Sequence, residues 1–289
     1  MIKVSDEFSV LEILKKSTAF LAKKNIPSAK CDVEWILSHF LEINKLEIYL
    51  DIHKVCDDSL LNQIRHAIKR RGKREPLQHI LGTVDFFNVT LKCDNRALIP
   101  RPETEYMVEL ICSYYDPCFE GKIIDFGTGT GAIAISLCRA FPKTTVYAYD
   151  KSEKSLSLAR ENAIKNGVLN QIKFRLFDWH KDDFTYEKAD LLVSNPPYLS
   201  KDEWCNAEPE VKEFDPYCAL VADQSGIKDI KKIISITPQI LKDKGLIVCE
   251  IGSNQKALIK EYSVGYLQDI IFKKDLCGVN RFLFGTSIF

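Results

Sequence analysis

Two periodicities divide the chain. In the first 75 or so residues apolar positions recur every three or four: Val10, Ile13, Leu14, Phe20 and Leu21, then Val33, Ile36, Leu37 and Phe40, then Leu60, Leu61, Ile64, Ala67 and Ile68. That spacing predicts three amphipathic helices. Ser28, after Pro27, is placed to cap the second, and the third follows Asp57-Asp58-Ser59. The third ends in Lys69-Arg70-Arg71-Gly72-Lys73-Arg74. Basic residues and a glycine suit a helix C-terminus, and the same run could face RNA or a protein partner. No strand pattern and no catalytic constellation falls here. Residues 1–75 read as a helical substrate-recognition domain.

Pro76 to Gly82 breaks this rhythm, and Val84, Phe86, Val89 and Leu91 then alternate as in a strand. Residues 76–98 therefore read as a β-hairpin linker. Pro102-Glu103-Thr104-Glu105 carries the marks of a helix start, with an early proline and acids in the first turn. From residue 122 strands and helices alternate: strands at 123–126, 145–149, 172–176, 191–194 and 246–251, with helices such as 132–137, 153–165 and 227–241 between them. Alternation of this kind predicts a parallel sheet covered on both faces. Two last strands, 269–272 and 281–284, are joined by a connection short enough for an antiparallel pair. Residues 99–289 make the catalytic domain, with an irregular loop expected at 199–221.

Composition narrows the function. Forty basic and forty acidic side chains cancel, which weighs against a large nucleic-acid footprint. No apolar stretch reaches the roughly 18 residues needed to span a bilayer. The acid-bearing segment Met1 to Glu7 lacks the apolar region of a signal peptide, so a cytoplasmic location is expected. None of the ten cysteines forms a Cys-x-x-Cys pair, and the five histidines are scattered. Free thiols and no metal site follow.

The chemistry begins at Gly127-Thr128-Gly129-Thr130-Gly131, between the first parallel strand and its helix. Glycines there let the backbone turn tightly and approach a ligand. Asp150, at the end of the next strand, can accept hydrogen bonds from both ribose hydroxyls. On these two elements alone NAD and S-adenosylmethionine fit equally well, and a tight turn without a ligand also fits. Three further features favour S-adenosylmethionine. Asp125 precedes the glycines, where a carboxylate could meet an ammonium group. Asp178-Trp179 follow the third strand, offering an acceptor and a flat apolar face to an adenine. The fourth strand ends in Asn195-Pro196-Pro197-Tyr198. Two prolines stop the sheet and leave a stiff turn with one amide side chain, carbonyls without competing N–H groups and one aromatic ring. Such a turn suits a planar NH2 group.

With these residues in place the chain resembles the release factor glutamine methyltransferases (the PrmC/HemK family). The likeness rests on Arg74 to Gln78, Leu98 to Glu105, Asp125 to Gly131, Asn195 to Tyr198, Glu208-Pro209, Ala219-Leu220, Glu250-Ile251-Gly252 and Asp275-Leu276, and it spans nearly the whole chain. Departures are His79 where the family usually has Tyr, Phe126 where Leu is common, and the segment around Asn280-Arg281. The resemblance implies an α/β, Rossmann-like class I S-adenosylmethionine-dependent methyltransferase fold. Its sheet would have seven strands, mostly parallel, with an antiparallel C-terminal strand, behind the helical bundle and hairpin.

It further implies methyl transfer from S-adenosyl-L-methionine, leaving S-adenosyl-L-homocysteine, to the glutamine amide nitrogen of a Gly-Gly-Gln motif in peptide-chain release factors. Asn195, Pro196 and Tyr198 would be catalytic, and Asn195, Pro196, Pro197 and Tyr198 would bind substrate. Cofactor contacts would come from Asp125, Gly127, Thr128, Gly129, Thr130, Gly131, Asp150, Asp178, Trp179 and Asn195. A monomer without stable nucleic-acid binding is expected. Two other readings share these motifs: a DNA or RNA amino-methyltransferase, and a non-catalytic S-adenosylmethionine-binding scaffold.

Overall fold

The register of a seven-stranded sheet decides where the chemistry of this chain can sit. The computed structural model describes residues 8–50, 52–185 and 187–288. Met1 to Glu7, on which the expectation about a signal peptide rests, lies outside them. The strands are β1 (Thr83–Phe86), β2 (Val89–Lys92), β3 (Lys122–Phe126), β4 (Thr145–Asp150), β5 (Ile172–Leu176), β6 (Ala189–Ser194), β7 (Leu241–Glu250), β8 (Leu267–Lys274) and β9 (Asn280–Ser287). Strands β1 and β2 pair as a hairpin, and the large sheet runs β5-β4-β3-β6-β7-β9-β8. From β5 to β7 it is parallel, and β9 joins β7 and β8 antiparallel. The order reverses direction between β3 and β6, the crevice where ligands bind in open α/β sheets.

By its internal contacts the chain divides into Met1–Gly82 and Thr83–Phe289. In the first unit the helices Val10–Lys23, Ala29–Leu41 and Asp58–Arg71 bury one apolar core that includes Leu21, Val33, Ile36, Leu37 and Ile64. The first helix is held at its start by a capping box, Ser9 with Glu12. Asp57 caps the third, accepting from the Leu60 N–H at 2.8 Å. Ser28 does stand before the second helix, but its side chain makes no capping bond. Phe20 is 38% exposed, on the flank of the helix stripe rather than in the core.

The basic run at the end of the third helix is largely consumed within its own unit. Arg71 is buried against Asp32 at 2.6 Å. Arg70 holds Glu75 with two hydrogen bonds, and Arg74 donates to the Asn25 carbonyl.

The stretch expected as a linker holds a short helix, Leu77–Leu81, and then the hairpin. The Lys92 N–H of the hairpin donates to the Asn162 side-chain Oδ1, and the Asn162 Nδ2 donates back to the Lys92 carbonyl and to the Thr130 carbonyl at 2.9 Å. One buried asparagine thus ties hairpin, helix and glycine loop together. The loop expected at 199–221 is a chain of short helices, Lys201–Cys205, Pro209–Phe214 and Tyr217–Leu220, followed by Asp223–Gly226. The first of these starts with a capping box of Ser200 and Glu203, legible as Ser-x-x-Glu in the sequence.

Separate apolar cores cover the two faces of the large sheet. Phe126 belongs to one of them, stacked on Phe177 with ring centroids 5.5 Å apart. Among the described residues no helix is long and apolar enough to cross a membrane, no cluster of side chains is suited to a metal ion, and all ten cysteines are free.

Candidate active site

Strand register builds the site. Phe126 pairs with Tyr149 on one side and with Ser194 on the other, and Ser194 pairs with Cys249. One residue further on, Asp150, Gly127, Asn195 and Glu250 stand in a single rank across the carboxyl ends of four adjacent strands. That rank spans the reversal of strand order.

The glycine loop turns through positive φ at Gly127, Gly129 and Gly131, at 72°, 57° and 82°. A Cβ on Gly131 would stand 3.0 Å from Ile135 Cδ1 and 3.2 Å from Ala159 Cβ, so a side chain there would need its neighbours to shift by a few tenths of an ångström as well as a strained φ. Gly127 and Thr128 N–H both donate to the Tyr149 carbonyl at 2.9 Å. Gly129 N–H donates to Asp150 Oδ2, and Ser152 N–H to Asp150 Oδ1, each at 2.9 Å. Asp150 therefore braces the loop while also lining the cavity beside it. Burial raises its carboxyl above the usual range, and those backbone bonds oppose the shift.

Asp125 lies behind the loop. It is fully buried, its Oδ2 accepts from Thr128 Oγ1 at 2.7 Å, and its Oδ1 has no hydrogen-bond partner. Burial pushes its pKa up to about 7, against the Thr128 bond and the nearby Ala134 N–H, which lies outside hydrogen-bond geometry. Trp179 is buried at the cavity wall, and its indole Nε1 donates to Asp229 Oδ1 at 2.9 Å. Asp178 takes another part. Its Oδ1 accepts from the His180 N–H and its Oδ2 pairs with Lys181, which occupies the carboxylate with its own turn.

The cavity at the strand ends is lined by Ala97, Leu98, Gly127, Gly129, Asp150, Ser152, Trp179, Asn195, Pro197 and Ala219, among others. A smaller one adjoins it, bordered by Arg101, Thr104, Thr128, Thr130 and Asn195. Arg101 pairs with the buried Asp215 at 2.5 Å, which holds the segment after β6 against the segment before the helix Pro102–Cys112.

Asn195 is fixed by residues distant in sequence. Its Nδ2 donates to Thr104 Oγ1 at 2.9 Å, and Thr104 Oγ1 donates to Glu250 Oε2 at 2.7 Å. Tyr198 OH donates to the other oxygen, Glu250 Oε1, at 3.0 Å. Glu250 is 1% exposed, and burial pushes it up to about 7 despite these two donors. Burial and the neighbouring Glu250 raise the Tyr198 phenol, so it stays protonated. Arg281 stands 6.0 Å from the Tyr198 ring centroid and donates to the Ile251 carbonyl.

Gly226 holds the same turn from the far side. Its φ is 83°, and a Cβ there would come 2.1 Å from the Tyr198 carbonyl oxygen, which accepts from Gln255 Nε2 at 2.8 Å.

Comparison with known proteins places this geometry. The chain matches the PrmC N-terminal domain over residues 12–82 and a Methyltransferase domain over residues 120–272. A release factor glutamine methyltransferase of Chlorobaculum tepidum is 34% identical over 282 residues, covering 95% of this chain and 96% of the relative. The chain belongs to the release factor glutamine methyltransferase family. Other members are similar at comparable levels. That of Deinococcus radiodurans is 34% identical, covering 94% of this chain and 96% of its own. That of Fusobacterium nucleatum is 38% identical over 85% of this chain and 69% of its own.

Among solved structures, the hMettl16 catalytic domain in complex with a 3'UTR hairpin superposes with a TM-score of 0.56 at 17% identity, covering 94% of this chain and 91% of that one. That likeness concerns the fold alone. The chain is thus an S-adenosylmethionine-dependent methyltransferase with the class I fold.

The residues present suit that cofactor. The loop offers backbone at three positive-φ glycines, Asp150 borders the cavity, and Asp125, fully buried behind the loop, leaves Oδ1 without a hydrogen bond. In the sequence Glu250 stands only among the residues that carry the family likeness, Gly226 and Gln255 carry no mark, and nothing ties Thr104 to Asn195. An acid closing the apolar run of β7 and a glycine after the loop were the signals available.

Proposed function

We propose that this enzyme methylates the side-chain amide nitrogen of a glutamine in peptide-chain release factors, that of the Gly-Gly-Gln motif, with Asn195 holding the acceptor. The observation that carries the reading is the Asn195 side chain itself. Its NH2 is engaged by Thr104, which leaves Oδ1 as a fixed hydrogen-bond acceptor in the rank of strand ends.

An amide nitrogen is a weak nucleophile because its lone pair is delocalised into the carbonyl. Acceptors at Asn195 Oδ1 and the Pro196 carbonyl orient its NH2 and favour the positive charge that develops on it. Pro196 and Pro197 contribute no N–H to compete for those acceptors. The Tyr198 ring, its hydroxyl tethered to Glu250, walls the substrate amide by apolar and cation–π contact. When bound, S-adenosylmethionine supplies an electrophilic methyl group on a sulfonium. Gly127, Thr128, Gly129, Thr130 and Gly131 would present backbone to it, Asp150 would accept from its ribose hydroxyls, and Trp179 would offer its adenine a flat apolar face. Asp125 Oδ1 offers negative charge to its ammonium. Asp178 would offer its remaining carboxylate lone pairs to the adenine while holding its own turn.

The helical unit recognises the release factor, and the enzyme works as a cytoplasmic monomer without stable nucleic-acid binding. The alternative of a DNA or RNA acceptor has less support, because net charge is zero and much of the basic run is paired internally. The test offers methyl-labelled S-adenosylmethionine with a release factor, DNA or ribosomal RNA in separate reactions. Label on the release factor is expected. Label on nucleic acid alone would overturn the reading.

A further inference from the structure

We propose that Glu250, acting through Thr104, sets which way round the Asn195 amide stands, and so decides whether the site meets the acceptor NH2 with an oxygen or with another NH2. Glu250 is a positioning residue here. Its effect on turnover rests on the function proposed above, but its effect on Asn195 does not.

Thr104 has a single hydroxyl hydrogen, and it goes to Glu250 Oε2 at 2.7 Å. Thr104 Oγ1 can then only accept, so the Asn195 atom 2.9 Å away must be the NH2 nitrogen. No other hydrogen bond engages that side chain among the described residues, and Oδ1 stays available. The direction of the whole chain, Asn195 to Thr104 to Glu250, is therefore imposed by the ionised carboxylate at its end.

A proton on Oε2 reverses it. The carboxyl then donates to Thr104, the Thr104 hydrogen turns to Asn195, and the amide rotates to present Oδ1 to it. Its NH2 now points where an acceptor NH2 would bind, and two donors face each other. A proton on Oε1 would instead strip the Tyr198 hydroxyl hydrogen of its partner, whereas the Oε2 arrangement keeps the hydroxyl hydrogens of Glu250, Thr104 and Tyr198 all paired.

The setting makes the reversal reachable near neutral pH. Glu250 is fully buried, with Thr104 and Tyr198 as its hydrogen-bond donors. The charges facing it are Glu103 on the helix that carries Thr104, which disfavours ionisation, and Arg281 on β9, which favours it. Tyr198 stays neutral in this range. Burial outweighs the rest and brings Glu250 up to about 7.

The test follows the side-chain amide resonances of Asn195 in the cofactor-free full chain through pH by ¹⁵N NMR. They are expected to shift with a midpoint near 7, to do so also in Thr104→Ser, and to lose that transition in Thr104→Val and Glu250→Gln. In parallel, kcat of the wild type should rise with pH through the same midpoint. Thr104→Val should lower kcat by about 100-fold with cofactor affinity retained, and Thr104→Ser should restore most of it. Asn195 resonances that stay still in the wild type, or that titrate unchanged in Thr104→Val, would overturn the proposal. A wild type that shows the resonance transition but labels no release factor would overturn the function and leave the positioning role standing.

Discussion

Buried charge does different things in the two units of this chain. In the helical unit, Arg71 and Asp32 meet at 2.6 Å with side chains 7% and 8% exposed, and the pair joins two helices of one apolar core. In the α/β unit, Asp125, Asp150 and Glu250 are buried at or near the carboxyl ends of β3, β4 and β7 and are answered by hydroxyls and backbone N–H groups. None of the three has a full ion pair, and all three are pushed upward by burial. A matched ion pair is a structural joint. A row of under-neutralised acids is kept at a cost in stability, and the place where it is kept is the place that works.

The comparison can be broken at its strongest point first. Asn195→Ala should reduce kcat by about 100-fold or more, with cofactor binding by calorimetry little changed. Normal turnover would remove the residue from its role.

Removing one member of the buried pair, as in Arg71→Met, should cost about 3–5 kcal/mol in chemical denaturation. Cofactor affinity should survive in whatever fraction stays folded. If the variant instead bound cofactor poorly while melting normally, the division of labour drawn above would be wrong. Gly226→Ala should lower stability by about 1–3 kcal/mol and lower turnover too, because the new methyl strikes the carbonyl of Tyr198. A variant with unchanged stability and turnover would show that this contact does not hold the turn.

A smaller effect separates the acids from the ion pair by pH. Asp125 is raised in the folded state to about 7, so the native chain holds that proton more tightly than the unfolded chain does. Its contribution is fully present below the ordinary carboxylate range and is lost as pH rises through about 7. Asp125→Asn should therefore gain most in melting temperature over the wild type at pH 8 and least at pH 4. A gap that does not change with pH would contradict the shift. Lys73→Ala, at an exposed position of the basic run, should change stability by no more than about 0.5 kcal/mol.

How much of this was legible follows from what each feature depends on. The glycine loop, Asp150 and the Asn195 turn are local: glycine spacing, an acid at a strand end, two prolines after an apolar run. Alternation of strands and helices then carries them to one end of one sheet. Thr104 and Glu250 could not be joined that way. They are 146 residues apart, and their contact depends on the β6–β7 register and on which side of a helix start faces the sheet. Asp178 shows the converse: its position after β5 suggests an adenine contact, and the structure adds that its carboxylate also holds the turn that follows. The basic run meets the same limit as Thr104 and Glu250, since charge read along a sequence does not reveal a partner such as Asp32, 39 residues from Arg71.

The central claim is that this rank of strand ends holds a planar amide nitrogen for methylation. Tandem mass spectrometry of a release factor, after incubation with the wild type and with Asn195→Ala, tests it most directly. A single methyl on the side-chain nitrogen of the Gly-Gly-Gln glutamine, formed by the wild type and nearly absent with the variant, is the expected result. A methyl on any other residue, or equal methylation by the two proteins, would contradict it.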